Sequence, residues 1–187
     1  MRNSPTKQLV LFVTGSVINV ALFCLSKYLG FPLWLDFAGS FYITAVCGPF
    51  LGILSLILHI TAVTVLIDGV CALWLAIPMA MACAVIYTAN RFNMLGKPLS
   101  HLCTMFVTSI AAALGYFIVF IINYLPPARY LAYESAFSAM IHSNGKFFGT
   151  VILSLAIAFS EMIPCLAVFT AAYMLTPRPK SSLSFKK

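Results

Sequence analysis

Between Leu33 and Ile60 the chain reads LWLDFAGSFYITAVCGPFLGILSLILHI, and only Gly48-Pro49 interrupts the apolar run from Trp34 onward. Pro49 has no N–H, and the residue before a proline is pushed out of the helical region. One helix is therefore expected to end near Cys47. A second should start at Pro49, where a first-turn proline costs nothing. The product is a tight hairpin of two apolar helices. Asp36 stands at its entrance and Asp68-Gly69 follows its exit. If both helices cross a membrane, the two carboxylates emerge on the same side.

The rest of the chain is as apolar as the hairpin. Hydrophobic residues make up 62% and charged residues 8%, with a mean hydropathy of +1.02. A soluble domain carries about 25% charged residues. The composition is that of an integral membrane protein. The expected fold class is all-α: a polytopic bundle of six transmembrane helices forming a single domain over 1–187. The expected helices cover about 8–28, 33–47, 49–66, 72–90, 101–124 and 147–175. The first has roughly the 20 residues that a bilayer core of about 30 Å demands. The second is short, about 20 Å long. Residues 125–146 form the longest connection, within which 128–141 has the makings of a short helix lying over the bundle. Ala72, Ala76, Ala80 and Ala84 make a smooth stripe, and Ala111 and Gly115 a second small pair; such spacing lets helices approach closely in lipid. No repeat, low-complexity block or glycine-serine linker divides the chain. The first apolar run is long for a signal-peptide core and no A-x-A site follows it, so cleavage is not expected.

Basic residues orient the bundle. Arg2, Lys7, Arg91, Lys97, Arg178, Lys180, Lys186 and Lys187 share the side of the termini, and Lys27, Arg129 and Lys146 lie opposite. This bias places the termini in the cytoplasm and the connections after the first, third and fifth helices outside. Because the cations flank apolar runs, the net charge of +7 points to no nucleic acid. The six cysteines are scattered, without a C-x-x-C, and read as small core hydrophobes rather than metal ligands or disulfides.

The outward connections hold most of the informative side chains: Lys27, Tyr28, Trp34 and Asp36; then Asp68; then Arg129, Tyr130, Tyr133, Glu134, His142 and Asn144. Aromatic area with a few converging polar groups is what a small-molecule pocket requires. The same residues also suit an interfacial aromatic belt with snorkelling lysines. Asp36 has a second explanation as a helix N-cap; Asp68, which follows its helix, fits that less well. Asn19, His59 and Glu161 fall near mid-membrane in this register. A carboxylate there reads first as functional. His59 and Glu161 suit either a proton relay or an interhelical clamp, and the clamp is preferred because no second carboxylate lies near in any span. No P-loop, H-E-x-x-H or G-x-S-x-G motif is present, so neither ATP hydrolysis nor another enzymatic activity is expected of this chain, nor a cofactor.

The pattern WLDFAGSFYITAVCGPFLGIL, Trp34 to Leu54, resembles the second-to-third helix segment of the substrate-binding S components of energy-coupling factor (ECF) transporters. That segment has an aspartate, a small-residue stretch, then Gly-Pro and a further glycine. The resemblance extends to the architecture: six helices, cytoplasmic termini and a long connection before the last helix. It implies a multi-pass protein of a prokaryotic plasma membrane that binds a vitamin or related micronutrient from outside. It also implies separate partner chains, a transmembrane T component and two ATPases, so that this chain contributes recognition only. Trp34, Asp36, Asp68, Tyr130, Glu134 and Asn144 would lie at the binding pocket. One departure concerns docking. The family commonly meets its T component through an alanine-x-x-x-alanine surface on the first helix, where this chain has Thr14-Gly15-Ser16-Val17-Ile18-Asn19-Val20-Ala21. The docking helix therefore stays open. Two rival readings are a membrane scaffold of the MreD type in cell-wall elongation, and an ion-coupled carrier using Glu161 and His59. The aromatics allow a flat-ring ligand without demanding one.

Overall fold

The computed structural model describes residues 4–29, 37–65, 75–123 and 134–175, with the backbone alone at 27, 29, 123 and 134–147. Among the described residues the fold is all-helical. Helix α1 covers Pro5–Leu29, α2 Ala38–Cys47, α3 Pro49–Val63, α4 Ala76–Arg91, α5 Pro98–Asn123 and α6 Glu134–Leu175, with a 3-10 turn at Met94–Gly96 between α4 and α5.

The hairpin forms where the proline chemistry puts it. Helix α2 stops at Cys47 and α3 starts at Pro49, with Gly48 between them at φ 105° and ψ 172°. That backbone region is essentially reserved for glycine. Although short, α2 is central: it packs against α1, α3, α4 and α6. Ala38 through Phe41 and Ile43 through Ala45 are buried. Small residues permit the crowding. A methyl at Gly39 would overlap the Gly15 carbonyl and the Asn19 side chain, and one at Gly115 of α5 would strike Pro78 of α4. Helices α4, α5 and α6 form the other half, and Phe41, Met79, Ile86, Tyr116, Met162 and Phe169 belong to the continuous core between the halves.

Many hydroxyls in this apolar setting bond to their own helix. Thr44, Thr88, Thr104, Thr108, Ser109, Ser154 and Thr170 each donate to the carbonyl four residues earlier, which removes the need for water. The outer surface is apolar: Val13, Val17, Ile53, Ile57, Phe106, Ile121 and Ile163 are all exposed. Apolar exposure on that scale marks a lipid or partner surface. Three helical stretches, Pro5–Ser26, Pro98–Ile122 and Phe148–Leu175, are long and apolar enough to cross a membrane, and α2 and α3 are shorter apolar helices. The protein is membrane-embedded.

Three helix starts differ from the sequence reading. Helix α1 begins at Pro5 rather than 8. Helix α5 begins at Pro98 rather than 101; proline suits a first turn, and the Lys97 carbonyl accepts the His101 N–H at 2.8 Å. The polar connection shrinks to a turn in which Asn93 adopts φ 55°. Helix α6 begins at Glu134 rather than 147 and runs 42 residues, about 63 Å against a bilayer core of about 30 Å. The helix expected within 128–141 is thus, from Glu134 on, the first part of α6. Ser143-Asn144-Gly145 looks like a loop, yet one helical glycine costs only about 1 kcal/mol, and the only proline inside the helix is Pro164.

The expected starts at 33 and 72, and the ends at 66 and 124, fall outside the described residues. The alanine stripe runs along the edge of α4: Ala76 and Ala80 are half-buried and Ala84 is exposed, while Met79, Ala82, Cys83, Ile86 and Ala89 face the core. Cys83 and Cys165 are core residues as expected, but Cys24 and Cys103 lie on the outer surface.

Candidate functional site

Of the residues expected to bind substrate, Trp34, Asp36, Asp68 and Tyr130 lie outside the described residues. Glu134 and Asn144 both lie on the backbone of α6, about 15 Å apart along its axis.

The described residues nearest in sequence to these connections form an aromatic collar around a histidine. Phe23 comes from the last turns of α1, Phe37 directly precedes α2, and His59 lies one turn before the end of α3. The His59 ring is 1% exposed. Phe37 meets it edge-on at 5.1 Å and 85°, and Phe23 at 6.0 Å and 75°. Phe23 also packs with Val63. An imidazole brings hydrogen-bonding nitrogens, and the phenyl edges bring apolar area. Within α3, His59 lies toward the C-terminal end of the hairpin. Phe23 and Phe37 were missed because a phenylalanine in an apolar run carries no local signal.

Below the collar, Asn19 holds α1 to the hairpin. Its Nδ2 donates to Ser40 Oγ at 2.8 Å, and its Oδ1 accepts the Gly39 N–H at 2.8 Å. Ser40 and Ser16 both donate to Ser55 Oγ, at 3.3 and 3.0 Å. Gly15 is buried and Ser16 half-buried. Within the Thr14–Ala21 stretch, Gly15, Ser16 and Asn19 are thus engaged inside the bundle, while Thr14 and Ala21 are exposed.

No family model, curated protein or solved structure matches the chain. Its chemistry has to be read from its own geometry.

Glu161 of α6 is buried and accepts a hydrogen bond from the Tyr116 hydroxyl of α5. This is an interhelical clamp, but with a tyrosine of the neighbouring helix in place of the His59 expected from the sequence. Sequence spacing could not name Tyr116, which is 45 residues away. At the other end of the bundle, Asn90 of α4 donates to the Ala45 carbonyl at 2.6 Å and accepts from Tyr173 of α6 at 2.9 Å. His101 Nε2 lies 2.7 Å from Thr170 Oγ1, with its ring stacked on Phe169 at 6.2 Å. These contacts tie α2, α4, α5 and α6 together. Among the described residues no group of three or more histidines, cysteines or carboxylates could hold a metal ion. The arrangement suits a rigid body with a buried polar-aromatic cluster at one end.

Proposed function

We propose that this chain is the substrate-binding S component of an ECF-type transporter. It takes up a vitamin or related micronutrient together with a T component and two ATPases in a prokaryotic plasma membrane. The observation that carries the reading is the hairpin. Each small residue of the family-like segment meets a physical demand: Gly39 against α1, Gly48 at a glycine-only turn, and Gly52 against Thr44. The end of that hairpin away from Gly48 carries the Phe23–Phe37–His59 collar. In this reading all six helices cross, the termini are cytoplasmic, and the substrate enters from outside. Trp34, Asp36, Asp68, Tyr130, Glu134 and Asn144 contact it above the collar. ATP-driven tipping of the whole bundle then opens the pocket inward.

The test is native mass spectrometry of the gently purified protein with identification of released small molecules, followed by titration of the apo protein. A stoichiometric vitamin-like compound is expected, and Asp36→Asn and Asp68→Asn should each weaken its binding at least several-fold, since a hydrogen bond to a charged group contributes about 1.5–3 kcal/mol. A protein that carries no ligand and shows no thermal shift across a vitamin panel would overturn the proposal in favour of a scaffold.

A further inference from the structure

The turn between α4 and α5 closes a feature that substrate recognition does not use. An apolar groove of about 350 Å³ runs between these helices, walled by Ala84 and Thr88 on one side and Cys103 and Val107 on the other, and reaching Met94 in the turn. A second groove of about 640 Å³ runs between α5 and α6 and shares Cys103 and Val107. The two grooves therefore flank one exposed ridge of α5. Arg91 lies three residues beyond Thr88, on the same face of α4, and Lys97 immediately precedes α5; both are exposed. Met94 stands midway between them in the sequence. The groove that reaches Met94 thus opens at a turn flanked by two exposed cations.

Among the described side chains the only carboxylate is Glu161, which is buried beside Tyr116 and away from these cations. We propose that this face binds an anionic phospholipid. Its acyl chains lie in the grooves on either side of the Cys103–Val107 ridge, and its phosphate sits between Arg91 and Lys97. Apolar channels with cations at their mouth match a lipid's two-part chemistry, and juxtamembrane cations attract anionic headgroups by roughly five-fold in affinity each. The proposal stands on membrane embedding alone and is independent of the transported substrate.

The test uses the full chain in neutral detergent, with phosphatidylglycerol and phosphatidylcholine of identical acyl chains. Native mass spectrometry should show phosphatidylglycerol retained over phosphatidylcholine. The double variant Arg91→Gln/Lys97→Gln should lose about 25-fold in phosphatidylglycerol retention, while Lys7→Gln, an exposed cation on α1, should retain the wild-type preference. A second readout needs no variant. Maleimide labelling of Cys103 should slow several-fold with phosphatidylglycerol, and glycerol phosphate without acyl chains should not slow it. Cys24, exposed on α1, should label equally throughout. Equal retention of both lipids overturns the proposal. So does a double variant that behaves like Lys7→Gln, or labelling of Cys103 unaffected by bound lipid. Protection of Cys103 that follows protein concentration instead would assign the face to self-association.

Discussion

At the scale of single residues, the tightest demands fall on a glycine and a tyrosine. Gly48 occupies φ 105° and ψ 172° between two helices with no room for a longer turn. Gly48→Ala should cost about 1–3 kcal/mol, read as a fall in the thermal unfolding midpoint in detergent. Tyr116→Phe leaves the buried Glu161 carboxyl without the hydroxyl it accepts from, and should destabilise by about 1–3 kcal/mol. Glu161→Gln keeps an acceptor for Tyr116 and should leave substrate affinity and uptake near wild type. Uptake abolished by Glu161→Gln, with the fold intact, would instead favour the ion-coupled carrier. The two variants separate a structural clamp from a transport group because only the second removes the carboxyl that could carry a proton across.

At the scale of elements, α2 depends on its neighbours. Ten residues span about 15 Å, too short to cross a bilayer core alone, and isolated helices of this length are marginal. Asn19 compensates by satisfying the Gly39 N–H and Ser40 at the start of α2. Asn19→Leu would leave the Gly39 N–H without this acceptor in an apolar interior and leave Ser40 only its bond to Ser55. It should lower stability by about 1–3 kcal/mol, measured by denaturant unfolding in mixed micelles. Helix α6 poses the opposite question, since it is about twice the thickness of the membrane core. Spin labels at Ser138 and Ile152 should lie about 21 Å apart along its axis with a narrow distribution. A broad or much shorter distance would mean that the helix breaks near Gly145.

At the scale of the whole molecule, the two halves share one core, and polar ties at one end join helices distant in sequence. Such a body is suited to moving as a unit. In the proposed orientation, a cysteine-free background carrying Ser4→Cys or Asn93→Cys should resist a membrane-impermeant thiol reagent in intact cells, whereas Tyr28→Cys should react. The reverse pattern would invert the topology and put the collar on the cytoplasmic side.

How much was legible beforehand follows from the range of the forces involved. Local chemistry reaches a few residues, so the Gly48-Pro49 break, the helical class and the apolar surface could be read along the chain: proline removes an amide, and backbone groups in lipid must bond within their own segment. Three-dimensional packing alone decided the rest. That the shortest helix lies at the centre, that Asn19 grips the hairpin, that Glu161 meets Tyr116 and that His59 is collared by Phe23 and Phe37 all depend on the rotation of one helix against another. A one-residue change in helix phase turns a side chain by about 100° at 3.6 residues per turn. In a sequence apolar on nearly every face, hydrophobic periodicity is too weak to set that phase, so close approach at small residues and buried hydrogen bonds set it instead.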